Sequence, residues 1–308
     1  MRTPRSTLSG RDLLAALAVV VIWGSNFIAM KFVLHDFTAF QMGAARYVAA
    51  VLPLVFFMRR PALPWPWLLA YGLFQGLGQF GFLFSALAVG MTAGLASVLM
   101  QTQVFFTAIL SYALLGEKPG PALRVGLVLA ALAIVCFAMN FIAANANSTG
   151  VVTVWGFVLS LCGASMWAAS NMVVRKLQAT GLRYDATAFL VWSSLVPILP
   201  FVLLSWLLDA PATRWRWLQA GPAAWASVAF LGWVATIAAY SLWTGLLKRH
   251  RANRVAPFSL GVPVVGISAG MLLLGEQVSP WQWAGIALVG AALLCVLLGE
   301  RFLPQERG

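Results

Sequence analysis

One stretch of this chain occurs twice, and the repetition constrains everything else. Residues 114–136 open with Leu114-Leu115-Gly116-Glu117 and carry Pro121, Gly126, Leu129, Ala133 and Cys136. Residues 273–295 open with Leu273-Leu274-Gly275-Glu276 and carry Pro280, Gly285, Leu288, Ala292 and Cys295. Each pair is 159 positions apart, and nine of 23 positions match without a gap. Apolar bias alone would give roughly two or three matches, so the chain holds an internal duplication. A second echo lies upstream. Trp23-Gly24-Ser25-Asn26 is answered by Trp167-Ala168-Ala169-Ser170-Asn171, with the Ser-Asn pairs 145 apart. The two halves divide as 1–148 and 149–308.

The duplicated unit is an apolar segment ended by Gly-Glu, a short polar break, and another apolar segment. Only 9% of the 308 residues are charged and 61% are hydrophobic, against about 25% charged in a soluble domain. The outer surface of such a chain faces lipid. The net charge of +12 does not point to nucleic acid, because the charges sit in short breaks between apolar runs rather than on one face. Cys136, Cys162 and Cys295 lie inside apolar runs, with neither a disulfide framework nor metal spacing. Arg2, Arg5 and Arg11 before Leu13–Ile22 resemble a secretion signal, but no small-residue cleavage site follows.

A bilayer crossing needs about 20 apolar residues. Ten segments qualify: 13–34, 38–58, 67–89, 92–115, 121–143, 152–175, 186–208, 222–247, 253–275 and 280–299. Trp65, Trp67, Trp215, Trp217, Trp281 and Trp283 at span starts suit the interfacial aromatic belt. With both termini in the cytoplasm, sixteen Lys and Arg residues fall on that side. Three (Lys31, Arg214 and Arg216) fall on the other, and Arg46 lies inside a span. This is the positive-inside bias. Each half then has five spans, an odd number, so the two copies enter the membrane from opposite sides. The expected fold is an all-α polytopic membrane protein, ten transmembrane helices arranged as two inverted five-helix repeats. That architecture recurs in secondary transporters, with the site between the repeats near mid-membrane.

Trp23-Gly24-Ser25-Asn26-Phe27, the duplicated Gly-Glu span ends and the ten segments resemble the drug/metabolite transporter superfamily, in its EamA family. The resemblance covers the whole chain. Gly94-Leu95-Ala96-Ser97, Gln103-Val104-Phe105-Phe106-Thr107 and Arg254-Val255-Ala256-Pro257-Phe258-Ser259-Leu260 are similar to the type that exports cysteine and O-acetylserine. The YddG-type exporters of aromatic amino acids belong to the same superfamily. The resemblance implies a bacterial inner-membrane protein, a central cavity walled by both halves, and export of amino acids or related small metabolites. Its partners are then a small-molecule solute and the bilayer, with no nucleic acid and no cofactor. No oligomeric state is specified.

Polar groups in hydrocarbon are costly and face the interior, so they are the site candidates. Ser25 and Asn26 sit near mid-depth of the first span, where Asn26 serves either an ammonium or carboxylate or an interhelical bond. Asn171 has the same two readings. Gln75 and Gln79 are four apart and share a helix face, whereas Gln101 and Gln103, two apart, do not. One of the latter pair is therefore expected to line the cavity while the other packs between helices. Arg46 is either a bidentate clamp for a substrate carboxylate, or it snorkels or holds carbonyls of a neighbouring broken helix. Trp23, Trp167, Trp243 and Tyr240 either wall the cavity, suited to apolar or cationic groups, or face lipid or pack in the core. Pro257 and Pro263 flank Ser259 and either break the ninth span there, freeing carbonyls for a solute, or belong to a helix packed closely through its small residues. The fourth span, its repeat partner, has no proline and is expected to bend differently. Every carboxylate and both histidines fall at or beyond span ends. That excludes the acid–base and metal constellations of a membrane enzyme, and it leaves no titrating group in mid-membrane to couple transport to protons.

Overall fold

The computed structural model describes residues 9–117, 119–143, 153–250 and 255–302. All regular structure among them is helical. Helix α1 (Gly10–Leu34) is followed by α2 (Ala39–Val51), then by α3 (Trp65–Tyr71) and α4 (Phe80–Ala88) joined through a π-helical stretch, Gly72–Gln79. The first half closes with α5 (Ala93–Met100), α6 (Gln103–Leu115) and α7 (Pro121–Ala143). The second half runs α8 (Val154–Ala179), α9 (Ala186–Ser193), α10 (Ile198–Leu208) and α11 (Pro222–Ala229). A second π-helical stretch, Phe230–Ala238, leads into α12 (Ala239–Arg249). A 3-10 turn, Ala256–Leu260, precedes α13 (Gly261–Leu274), and α14 (Pro280–Phe302) ends the described chain.

Among the described residues, six stretches are long and apolar enough to cross a membrane: Gly10–Leu34, Ala93–Leu115, Pro121–Met139, Val154–Ala179, Ala186–Leu208 and Pro222–Leu246. Phe258–Leu274 and Pro280–Val296 are shorter apolar helices. Large apolar side chains such as Leu14, Phe56, Phe57, Leu207 and Leu272 stand exposed on the outer face, as a lipid solvent requires. The protein is a multi-pass membrane protein.

The helices are interrupted at matching places in the two halves. Helix α2 stops before Pro53, and the joint between α9 and α10 ends at Pro197. Proline lacks the N–H that would continue either helix. The two π-helical stretches start 158 residues apart, within one residue of the sequence repeat. The fourth span corrects an expectation, because it breaks without a proline. Its backbone turns at Gln101 and Thr102, where the Thr102 hydroxyl donates to the Leu99 carbonyl at 2.6 Å. The amides of Gln101 and Thr102 also bond three residues back, to Val98 and Leu99. Such back-bonding by a hydroxyl bends a helix. The break lies 159 residues before Leu260, the end of the 3-10 turn, so the two spans bend at equivalent positions.

The halves meet along reciprocal contacts. Helices α7 and α14 run together, with Gly126 of α7 against Val296 of α14 and Gly285 of α14 against Phe137 of α7. A Cβ on either glycine would press into its partner's side chain. Helix α1 packs on α13, with Gly24 under Val265, and α8 packs on α4, α5, α6 and the first π stretch. Phe84, Phe201, Met42 and Leu99 fill the interior between the halves.

The repeated Leu-Leu-Gly-Glu ends α6 and α13 in the same way. Gly116 and Gly275 cap their helices at φ 68° and 65°, a left-handed conformation that favours glycine. After α13 the glutamate is turned back beside Gly270 to meet the start of α5. Glu276 accepts from the backbone amides of Ala93 at 2.6 Å and Gly94 at 2.9 Å, and the Thr92 hydroxyl accepts from Leu95. Three of the four orphan amides of α5 are thus paired, with a negative charge at the positive end of the helix. Glu117 instead pairs with Arg175 of α8 at 2.8 Å. Glu276→Ala should therefore destabilise the protein by about 1–2 kcal/mol, read as a lower midpoint of thermal unfolding in detergent. Glu276→Gln, which keeps one acceptor, should fall between. An unchanged midpoint for the alanine variant would show that the cap carries no stability.

Candidate functional site

The helix breaks surround a cavity of about 500 Å³ between the two halves, within the size range of small-molecule sites. Helix α1 contributes Trp23, Asn26 and Phe27, the first π stretch Gln75 and Gln79, and α2 Arg46. The bent fourth span contributes Ser97, Met100, Gln101, Gln103 and Val104. From the second half come Trp167, Asn171 and Arg175 of α8, Ala235 of the second π stretch, and Tyr240 and Trp243 of α12, with Ser259 and Leu260 of the 3-10 turn.

The first wall is aromatic. Trp23 lies 5.0 Å from Tyr240 and 5.4 Å from Trp243, centroid to centroid, both tilted. The Trp23 indole N–H donates to the Ala235 carbonyl at 3.1 Å, which fixes the ring by its polar end. Ala235 belongs to the π stretch, whose wider turn changes which carbonyls bond along the helix. The Thr236 hydroxyl bonds five residues back, to the Leu231 carbonyl.

The second wall is a polar network that crosses between the halves. The Ser170 hydroxyl donates to Gln75 Oε1 at 2.5 Å, and Gln75 Nε2 donates to the Tyr240 hydroxyl at 3.3 Å. Asn171 Nδ2 donates to Gln103 Oε1 at 2.7 Å and to Thr107 at 3.3 Å. Gln101 Nε2 donates to the Ser259 carbonyl at 2.7 Å. Asn26 Oδ1 and Gln79 Oε1 are buried without a partner.

Arg46 is 2% exposed. Its Nη2 donates to the Thr236 hydroxyl at 3.0 Å, and its Cζ lies 3.9 Å from the centre of the Phe80 ring. Its Nε and Nη1 are buried without a partner. The side chain holds no carbonyl and does not snorkel to the surface; it stands in the interior on an aromatic face.

Three sequence candidates sit differently from expectation. Ser25 is not part of the wall, because its hydroxyl turns back to the Val21 and Ile22 carbonyls of its own helix. Gln101 and Gln103 both line the cavity, since the turn between them resets the helical phase. Pro263 lies in the first turn of α13, where a missing N–H is tolerated, and it is not a lining residue. Pro257 lies within the 3-10 turn.

Several residues here went unnoticed in the sequence. Thr236 is a hydroxyl in the middle of an apolar run, the signal that singled out Asn26. Tyr71, which lines the cavity, carries no signal among so many aromatics. Arg175 lines one end of the cavity and is 42% exposed where it pairs with Glu117, so the cavity reaches the surface there. Glu276 and its cap lie at the opposite end of the Ala93–Leu115 span. Asp12, expected at or beyond the end of the first span, lies in the first turn of α1, buried against His250 at 2.9 Å and bonded to Arg249; this cluster is away from the cavity wall. Among the described residues, no three His, Cys, Asp or Glu gather as metal ligands.

Known proteins resemble the chain over nearly its whole length. It is 36% identical over 296 residues to a probable amino-acid metabolite efflux pump of Escherichia coli K12, covering 96% of this chain and 97% of that one. The protein of the same description from Salmonella typhimurium is 38% identical over 301 residues, covering 97% and 99%. An uncharacterized transporter of Bacillus subtilis, YoaV, is 26% identical over 291 residues, covering 92% and 94%. One solved crystal structure shares the fold at a TM-score of 0.56 and 20% identity, covering 96% of this chain and 99% of that chain. The model of the EamA-like transporter family matches residues 11–139 and again 154–298. With both halves matched and full-length relatives above 30% identity, the chain belongs to the EamA-like transporter family.

Proposed function

We propose that this protein is a secondary transporter of the bacterial inner membrane that exports amino acids or related small metabolites by alternating access. The observation that carries the reading is the cavity of about 500 Å³, walled from both halves by amide, hydroxyl and aromatic groups. The efflux-pump descriptions of the relatives point to the same class of solute. Ten spans in two inverted repeats, 1–148 and 149–308, accommodate the paired helix breaks and the reciprocal glycine contacts of α7 and α14. Family matches on either side of that boundary support the division. In this topology both termini are cytoplasmic. The Arg175–Glu117 end of the cavity is then its cytoplasmic mouth, and the Glu276 cap holds the far end shut. Single cysteines at Leu182 and Ala212, on a background lacking Cys136, Cys162 and Cys295, should label from the cytoplasmic and outer faces respectively. Labelling of both from outside would overturn the topology.

Among the described residues, none that lines the cavity is a carboxylate or histidine, which fits transport without proton coupling. A zwitterion carries no net charge, so membrane voltage does not drive it. A tenfold gradient supplies about 1.4 kcal/mol, sufficient for overflow from a loaded cytoplasm. A second reading, efflux of aromatic or cationic drugs, draws on the Trp23, Tyr240 and Trp243 cluster; the positive charge of Arg46 in the same wall opposes it.

Proteoliposomes given a panel of radiolabelled amino acids test the function. Saturable uptake with counterflow is expected, and the final internal concentration should be the same with or without a proton, sodium or voltage gradient. Accumulation under one of these gradients would overturn the uncoupled mechanism, and conductance without saturation would identify a channel. Asn26→Ala and Trp167→Ala should each lower transport by about tenfold, equivalent to losing one polar or packing contact, at unchanged membrane expression. Full activity in both variants would remove these residues from the site.

A further inference from the structure

Arg46 presents a charge without a counterion. Arginine does not lose its proton in proteins, and an unpaired ion removed from water costs several kcal/mol. Thr236 and Phe80 offset part of that cost, one by a hydrogen bond and the other by its ring face. No acid with a described side chain supplies the rest. Asp12 is engaged by Arg249 and His250, Asp36 by the Gly221 amide, and Asp185 by the Ala188 amide. Asp209 accepts from Thr38 and Ser205, Glu117 from Arg175, and Glu276 from the start of α5. Each of the six carboxylates with a described side chain is thus occupied elsewhere. The wall also holds the opposite kind of vacancy, two buried amide oxygens without a donor, Asn26 Oδ1 and Gln79 Oε1. One cavity thus contains unused cationic donors on Arg46, unused neutral acceptors, and the aromatic face of Trp23, Tyr240 and Trp243.

We propose that Arg46 is the carboxylate-binding residue of the cavity and that the solute is a zwitterion, its ammonium on Asn26 and Gln79 and its side chain along the Trp23 face. The inference rests on the amino-acid export reading and narrows it to solutes with a free carboxylate. The planar guanidinium meets the two oxygens of a carboxylate bidentately, and neutral amide oxygens suit an ammonium without trapping it as a salt bridge. Both free nitrogens of Arg46 are sealed from water in this conformation, so the carboxylate reaches them only as the wall shifts. Binding and the conformational step are thereby linked.

The test is thermal stabilisation of the purified full-length protein by L-leucine, L-phenylalanine and O-acetyl-L-serine, each beside its α-amide and its decarboxylated amine. At least one acid should stabilise the protein, and its amide and amine should not. Arg46→Gln should weaken binding of that acid by about thirtyfold or more, the usual scale for losing one partner of a buried charge pair. Arg46→Lys, which keeps the charge but not the fork, should lie between and serves as the second variant if the glutamine protein does not fold. Equal stabilisation by acid and amide, or parental affinity in Arg46→Gln, would overturn the carboxylate site while leaving amino-acid export standing. Stabilisation by the amines alone, or by none of the compounds, would overturn both.

Discussion

A backbone inside hydrocarbon has no water to bond, so every N–H and C=O freed by a helix break must find a partner within the chain. The irregular places of this protein follow from that constraint. Where α2 ends, the Leu52 carbonyl accepts from the Trp233 indole of the opposite half at 2.8 Å. Past the next turn, the Met58 carbonyl accepts from Trp192 at 3.1 Å. The second π stretch offers the Ala235 carbonyl to Trp23, and the 3-10 turn offers the Ser259 carbonyl to Gln101. The start of α5 is met by Glu276. In each case a side chain of the other half closes the gap, so the breaks that loosen single helices also tie the halves together.

The same bonds shape the cavity. Trp23, Gln75, Gln101, Gln103 and Asn171 all line it, and all of them spend polar atoms on structure. What remains for a solute is the smaller set that the network does not use. A polar residue in the wall is therefore not equivalent to a binding group. The distinction lies in whether its atoms are already paired, and Arg46, Asn26 and Gln79 retain unpaired ones.

Much of this was legible in the sequence, because lipid makes composition informative. The repeat, the long apolar spans and the cavity positions of Asn26, Gln75, Gln79, Trp167 and Tyr240 follow from hydropathy and from the cost of polar groups in a membrane. What was not legible depends on bonds between atoms distant in sequence. The break at Gln101 and Thr102 arises from a hydroxyl bonding its own helix, and no proline announces it. Ser25 looked like its neighbour Asn26 but satisfies itself one turn back. The Gly-Glu repeat was visible as a pattern, yet the backbone amides that Glu276 meets lie over 180 residues away. The surroundings of Arg46 come from α4 and the second π stretch, which only the fold brings to it.

The seam of α7 and α14 has a consequence for how the two halves have diverged. Its contacts are mutual, Gly126 beneath Val296 and Gly285 beneath Phe137, the pattern of a two-fold homodimer. In a dimer of identical chains any substitution is imposed on both contacts at once. In one continuous chain each contact evolves by itself, and here the same knob has become valine on one side and phenylalanine on the other. The Gly-Glu turns have parted in the same way, one gripping a helix backbone and the other a side chain. Within one chain the two turns need not stay alike, so the two ends of the cavity are held by different bonds.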